Sequence, residues 1–173
     1  ATEDNEPDDF VGHGTNCAGC VSAICDNGEG IASIGWSLRV LPLRIGFAVE
    51  DGQGGMTGVA YSTTMASAFN YARLKGAQVI NLSFGSSYTP SLQTAVNACY
   101  AAGAILVVAA GNDNSSDQDY LATTNKCVDV AATTSTDGKA DFSNYGSWVD
   151  VSAPGVGILT TAIGGYAVTQ GTS

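Results

Sequence analysis

Basic side chains are scarce in this sequence. Six Lys and Arg residues and one His stand against 16 Asp and Glu residues, so the formal net charge at neutral pH is −10. The basic residues are scattered along the chain, and no basic face is available to neutralise a phosphate backbone. The composition therefore argues against nucleic acid as a partner.

Long apolar runs are lacking as well. No run approaches the roughly 20 residues that a transmembrane helix needs, and no leader with a charged and then an apolar stretch is recognisable. The sequence predicts no membrane span. An acidic chain with few lysines is typical of secreted proteins, so we expect an extracellular location.

The charged fraction is only 13%, whereas apolar residues make up 45% of the 173 residues and glycine contributes 22. This balance favours one compact domain with buried strands and tight turns, and it argues against disorder.

The chain has five cysteines, an odd number, so at least one has no disulfide partner within the chain. Cys99 and Cys127 bridging to each other is one option among several that the sequence leaves open for Cys17, Cys20, Cys25, Cys99 and Cys127.

Helical and strand patterns alternate along the chain after an acidic, exposed loop at residues 1–10. Helical spacing predicts helices over residues 13–24, over 61–72 and, from the Thr89-Pro90 pair that starts a third helix, up to Gly103. Apolar runs predict strands at 38–45, 77–85, 104–112, 127–132 and 148–154, and Gly164-Gly165 predicts a hairpin turn. Strand 77–85 is expected to be covered on both faces. The pattern predicts an α/β fold with a mainly parallel sheet flanked by helices in three layers.

Candidate catalytic residues follow from where such strands end. Function in open α/β sheets collects at the carboxyl ends of the strands, here Ser83-Phe84-Gly85, Gly111-Asn112 and the segment after Pro154. A serine hydroxyl becomes a nucleophile when an imidazole takes its proton, and His13 is the one histidine of the chain. An Asn amide at a strand end can donate to an oxyanion. We therefore consider Ser173, His13 and Asn112 together.

Five motifs in order carry a family resemblance. GHGTNCAG resembles the histidine motif HGTxxAG of subtilisin-like serine proteases, in the variant with a cysteine that proteinase K and the kexins carry. NLSFG resembles the family's substrate-binding strand, VVAAGN its oxyanion segment, DFSNYG with VDVSAPG its approach to the serine, and GTS its nucleophile motif. The resemblance implies a serine endopeptidase with His13 as general base, Asn112 as oxyanion donor and Ser173 as nucleophile.

The triad aspartate is the part of the family pattern that is not found. The family order is Asp, His, Ser, and nothing before His13 has the form of an apolar strand that ends in Asp. Asp8 and Asp9 lie in an acidic loop and are weak candidates. We therefore interpret the chain as a central fragment of a catalytic domain, incomplete at both ends, without the upstream Asp strand and the helix after Ser173, and inactive by itself.

The resemblance also implies a substrate cleft. Two segments are expected to pair with an extended polypeptide by strand addition: Gln53, Gly54 and Gly55 on one side, and Ser83, Phe84 and Gly85 on the other. Their small residues favour an open cleft that accepts apolar side chains before the scissile bond. Besides polypeptide substrates, a propeptide or the remaining portions of its own chain are the expected partners.

Two further motifs allow metal or redox use. The loop that holds Asp26, Asn27, Glu29 and Ile31 suits structural calcium, which many subtilisin-like proteases bind here, and it equally suits an ordinary Asn-Gly turn. Cys17 and Cys20 form a CxxC in which a structural role outweighs zinc or redox chemistry. A catalytically inactive subtilase-like module for binding or assembly is the alternative to an enzyme.

Overall fold

The computed structural model describes residues 7–173. Within these residues, three helices and eight strands follow one another: α1 (His13–Ser22), β1 (Gly46–Glu50), β2 (Met56–Ala60), α2 (Ser62–Leu74), β3 (Val79–Leu82), α3 (Pro90–Ala101), β4 (Ile105–Ala109), β5 (Cys127–Thr133), β6 (Val151–Pro154), β7 (Ile158–Ala162) and β8 (Gly165–Thr169), with one short 3-10 turn at Leu121–Thr123. The chain forms two compact units. Unit 1 comprises Ala1–Met65 and Leu159–Val168, and unit 2 comprises Ala66–Ile158 and Thr169–Ser173.

Unit 2 is built on a parallel sheet in the order β3-β4-β5-β6. Val79 pairs with Ile105, Leu106 with Cys127, and Val130 with Val151. All four strands run the same way, so their carboxyl ends meet at one edge, where loops carry the predicted site residues. The predicted α/β fold with a parallel sheet flanked by helices is confirmed.

The core of unit 2 lies between the sheet and its helices. Leu92, Val96 and Cys99 of α3 are fully buried, as is Leu106 of β4. The Cys99 thiol donates to the Phe69 carbonyl of α2 at 3.3 Å, which joins the two helices. Burying an aliphatic side chain of this size contributes roughly 1.5–3 kcal/mol, so this cluster fixes the sheet edge where the site is formed.

The start of α3 shows how the sequence sets an element boundary. Thr89 precedes the helix in an extended conformation, and its hydroxyl accepts a hydrogen bond from the Leu92 N–H at 3.3 Å. Pro90 occupies the first turn, where its missing N–H costs nothing. The predicted helix start is thereby confirmed.

Unit 1 contains α1 and two small sheets. Strands β1 and β2 form an antiparallel hairpin in which Gly46 pairs with Ala60 and Glu50 with Met56. The Asp51 carboxylate closes the loop between them, accepting hydrogen bonds from the Gln53 and Gly55 N–H groups at 2.8 and 2.9 Å. Strands β7 and β8 make the second sheet, and its turn lies at residues 163–164, one residue before the predicted Gly164-Gly165 because Gly165 already begins β8.

Two expectations about strands are wrong. Residues 38–45 form no strand, because a strand requires a pairing partner and none of residues 7–173 forms a ladder with this run. Strand β3 is not covered on both faces. It is the edge strand of its sheet, and Val79 is 57% exposed. Of the predicted acidic loop, residues 1–6 lie outside the described part, and residues 7–10 have no regular structure.

Candidate active site

Asn112 lies beyond β4, next to the segment that ends in Ser173. The Thr172 N–H and hydroxyl both donate to Asn112 Oδ1, at 2.9 and 3.0 Å, and the Gly111 N–H donates to Thr172 Oγ1 at 3.1 Å. Thr172 is buried, whereas Asn112 and Ser173 are exposed. With its oxygen engaged by two donors, the Asn112 amide leaves its Nδ2 hydrogens free to act as donors.

Asn144 holds the loop that follows Asn112. Its Oδ1 accepts hydrogen bonds from the Asp113 and Ser115 N–H groups at 2.8 and 3.1 Å, and its own N–H donates to the Gly111 carbonyl at 2.9 Å. Asn144 is 5% exposed. Gly111 has φ 107, and a Cβ on it would overlap the Asn144 amide, so only glycine fits here. The motif DFSNYG therefore supports the loop that carries Asn112.

Gly155 seats the segment before Ser173. The Gly171 N–H donates to the Gly155 carbonyl at 2.9 Å, and the Gly155 N–H donates to the Thr133 carbonyl at 2.9 Å. A Cβ on Gly155 would collide with the Gly171 carbonyl and with Ala132. The glycine of the APG sequence thus permits a close backbone approach that places the last three residues against β5.

His13 is the first residue of α1 in unit 1. Gly12 precedes it with φ 91 and provides no side-chain cap. The cap comes from Asp9, whose Oδ1 accepts hydrogen bonds from the Val11 and Gly12 N–H groups at 3.0 and 2.8 Å, and whose Oδ2 accepts two from Thr15 at 2.8 Å. Burial raises the pKa of Asp9, but the hydrogen bonds from Thr15, Gly12 and Val11 outweigh it and hold the pKa below 3.8.

Asp9 therefore has a structural role that the sequence reasoning missed. A carboxylate near the first N–H groups of a helix is stabilised by their unsatisfied donors and by the helix dipole. Both of its oxygens serve the start of α1. Six residues separate Asp9 from Thr15, a spacing outside the usual capping motifs, so no sequence signal marks this cap.

Gly19 docks α1 onto β7. The Thr160 and Thr161 hydroxyls donate to the Asn16 and Thr15 carbonyls at 2.6 and 2.8 Å. A Cβ on Gly19 would lie 2.6 Å from Thr160 Oγ1 and 2.8 Å from the Thr161 nitrogen. The glycine at the end of HGTxxAG is thus required for contact between the helix and the strand.

The two cysteines of CAGC have separate surroundings. Cys17 Sγ lies 3.8 Å from His13 Nε2, one helical turn away, and the Cys20 thiol donates to Thr160 Oγ1 at 3.4 Å. Within residues 7–173, no group of three His, Cys, Asp or Glu side chains is arranged to hold a metal, and no two of the five cysteines form a disulfide. The structural role of CAGC stays a prediction.

The proposed calcium loop has the geometry of a turn. Asn27 Oδ1 accepts a hydrogen bond from the Glu29 N–H at 3.0 Å, and Asp26 has φ 59. Calcium takes six to eight oxygen ligands, and one oxygen of the predicted set, Asn27 Oδ1, is engaged within the turn. Calcium binding by Asp26, Asn27, Glu29 and Ile31 stays a prediction.

The predicted substrate segments fall in different units. Gln53, Gly54 and Gly55 lie in the β1–β2 turn of unit 1, where Gln53 and Gly54 are exposed and Gly55 is half-buried. In unit 2, Ser83 and Phe84 follow β3, and Ser83 Oγ accepts a hydrogen bond from Asn81 Nδ2 at 2.8 Å. Gly85 is exposed and lies against the Asp119 carboxylate. Their role in binding stays a prediction, as do the catalytic roles of His13, Asn112 and Ser173.

Comparison with known proteins adds to this geometry. A profile described as the subtilase family matches residues 1–173. The chain is 40% identical over 172 residues to thermitase of Thermoactinomyces vulgaris, covering 98% of this chain and 59% of thermitase. It is 37% identical to an extracellular protease of Xanthomonas campestris, covering 93% of this chain and 30% of that protein.

A solved structure is similar as well. A protease from Pseudoalteromonas arctica superimposes with a TM-score of 0.79 at 32% identity, covering 92% of this chain and 53% of that one. The chain thus spans between about a third and three fifths of the length of these relatives. In the described part of the chain, every helix is too short or too polar to cross a membrane.

Proposed function

The chain belongs to the subtilase family, and from this premise we propose that the protein is a serine endopeptidase that cleaves polypeptides through an acyl-enzyme. One observation carries the proposal beyond family membership. Asn112 is oriented by Thr172, the residue directly before Ser173, so that an amide donor and a serine hydroxyl are held by one hydrogen-bonded segment. Donors fixed in advance near a nucleophile are what acyl transfer requires.

The proposed mechanism assigns one role to each group. His13 takes the proton of the Ser173 hydroxyl while Oγ attacks the peptide carbonyl carbon. Asn112 Nδ2 and the Ser173 N–H donate to the oxyanion of the tetrahedral intermediate. His13 then returns the proton to the leaving amine, and the C–N bond breaks to leave an ester on Ser173. Water, activated by His13, hydrolyses that ester and restores the hydroxyl.

The triad aspartate belongs to the proposal for the whole protein. An aspartate from outside residues 1–173 would accept a hydrogen bond from the His13 ring and hold its tautomer. We propose an extracellular location, since one relative is an extracellular protease. A propeptide or other portions of the same chain are the proposed intramolecular partners.

A covalent probe tests the reaction. The whole protein is treated with a serine-directed fluorophosphonate, and the modified peptide is identified by mass spectrometry. We expect labelling at Ser173 that disappears in Ser173→Ala and persists in Ser135→Ala, an exposed serine on a turn far along the sequence. A folded protein that hydrolyses no peptide and does not label at Ser173 would contradict the enzyme and favour the inactive binding module.

Calcium is a separate proposal about stability. We propose that the loop at residues 26–31 contributes oxygen ligands to a structural calcium ion whose remaining ligands come from elsewhere in the whole protein. Its carboxylates and carbonyl groups are the hard donors that calcium prefers. An unchanged melting temperature on addition of EDTA and then excess Ca²⁺ would contradict it.

A further inference from the structure

One carboxylate at the carboxyl edge of the sheet has no role in the mechanism above. A Cβ built on Gly85 would lie 3.1 Å from Asp119 Cγ and would overlap Asp119 Oδ2. The absent side chain of Gly85 is therefore what lets this carboxylate reach the segment after β3. That segment is the one predicted to pair with the substrate backbone.

The position of Asp119 is fixed by its neighbours. The Tyr120 N–H donates to the Ser86 carbonyl at 3.2 Å, and the Thr123 N–H donates to the Asp119 carbonyl at 3.1 Å. The Tyr120 ring meets the Tyr88 ring edge to face, with centroids 5.3 Å apart. The loop before residue 121 is thus joined to the segment after β3. Asp119 and Gly85 therefore lie on one continuous surface, which we call the Asp119 wall.

The Asp119 carboxylate is uncompensated. It is exposed, and within residues 7–173 no hydrogen bond or ion pair engages it. An exposed carboxylate without a protein partner is available to pair with a ligand of opposite charge.

The geometry of the sheet relates this wall to the reacting groups. Leu82 at the end of β3 pairs with Val108 near the end of β4, so Gly85 and Asn112 follow the ends of adjacent strands, which lie about 4.8 Å apart in a sheet. If a peptide pairs with the segment after β3 as predicted, its scissile carbonyl would lie near Asn112 and the side chain preceding it near Asp119. We propose that Asp119 selects substrates with Lys or Arg immediately before the scissile bond.

This inference rests on the proposed endopeptidase function and names its substrate class. It replaces the expectation that apolar side chains are preferred there. An ammonium or guanidinium group would form a charge-assisted hydrogen bond with Asp119, whereas an apolar side chain of equal length would leave the carboxylate desolvated and unpaired. The preference for basic over apolar side chains should therefore appear as a difference in kcat/KM.

The experiment uses the whole protein and four peptide anilides that differ only in the residue before the scissile bond: Lys, Arg, Met and Leu. We expect kcat/KM for Lys and Arg to exceed that for Met by about tenfold or more, as one charge-assisted contact gives. Asp119→Asn should reduce this ratio to about one. Asp117→Asn removes the same charge from the same loop and should keep the preference.

The outcomes separate the two proposals. Turnover of all four peptides without a preference for Lys or Arg, or an Asp119→Asn variant that keeps the preference, would overturn the role of Asp119 and leave the endopeptidase intact. An equal loss of preference in Asp117→Asn would also overturn the role of Asp119, because the cause would then be the net negative charge of the loop and not a contact with Asp119. Absence of turnover on all substrates, with no labelling of Ser173, would reject the proposed function and this inference together.

Discussion

Replacing Asp129 with asparagine should change how stability depends on pH. Asp129 lies on β5, is 4% exposed, and its Oδ1 has no hydrogen-bond partner within the described residues. Its backbone N–H donates to Asp150 Oδ2 at 2.9 Å, which places a second carboxylate beside it. Burial and, secondly, the Asp150 charge raise the pKa of Asp129 from 3.8 to about 7.

The sign of the effect follows from proton binding. Between about pH 4 and pH 7 the native state holds a proton on Asp129 that the unfolded chain has released. The stabilisation is therefore complete below the unfolded pKa and is lost as the pH rises through 7. A shift of about three pKa units corresponds to at most about 4 kcal/mol of unfolding free energy lost above pH 7.

Asp129→Asn keeps the shape of the neutral acid and removes the titration. We expect the variant's advantage in unfolding free energy over the parent to grow between pH 4 and pH 7 and to be roughly 2–4 kcal/mol larger at pH 8 than at pH 4. Urea unfolding of the whole protein, in a Ser173→Ala background that prevents self-digestion, measures both values. Asp137→Asn, on an exposed turn, is the control. Parallel pH profiles for parent and Asp129→Asn would refute the reasoning.

Two further substitutions test the contacts of the site. Thr172→Val removes one of the two donors to Asn112 Oδ1, and we expect kcat to fall about tenfold with little change in KM. This loss is smaller than the 10²–10³-fold decrease typical of losing an oxyanion donor itself. Thr172→Ser should restore kcat, and equal activity of the two variants would contradict the role of the hydroxyl. Gly19→Ala brings a Cβ within 2.6 Å of Thr160 Oγ1 and should lower the unfolding free energy by about 1–3 kcal/mol. Gly58→Ala, where a Cβ meets nothing within 4 Å, is the neutral control, and equal urea midpoints for the two alanine variants would contradict the docking argument.

Local signals in the sequence predicted much of the fold. The Thr89-Pro90 pair marks the start of α3, and the apolar runs before Gly85 and Gly111 correspond to β3 and β4. These elements depend on neighbouring residues, so composition and spacing suffice to find them. The run at residues 38–45 carries the same signal but lacks a partner among the described residues, since pairing depends on the rest of the chain.

The contacts that shape the site could not be predicted from local sequence signals. Thr172 orients Asn112 across 60 positions of sequence, and Asn144 holds Asp113 across 31. Asp119 and Gly85 are likewise distant in the chain, and neither belongs to a motif that indicates their contact. Motifs located the candidate nucleophile and donor, whereas the residues that position them appear only once the strand ends are brought together.

The hydrogen bonds around Asn112 also affect how slowly its side-chain amide deamidates. An asparagine deamidates when the backbone nitrogen of the next residue attacks its side-chain carbonyl and ammonia leaves. The cyclic imide that forms is then hydrolysed to an aspartate or isoaspartate. Here the Asp113 N–H is engaged by Asn144 Oδ1 at 2.8 Å, while the Asn112 carbonyl is held on its other side by Thr172. Attacker and target are thereby kept from meeting, so the amide is protected from turning into an anion that would repel the oxyanion it is proposed to stabilise.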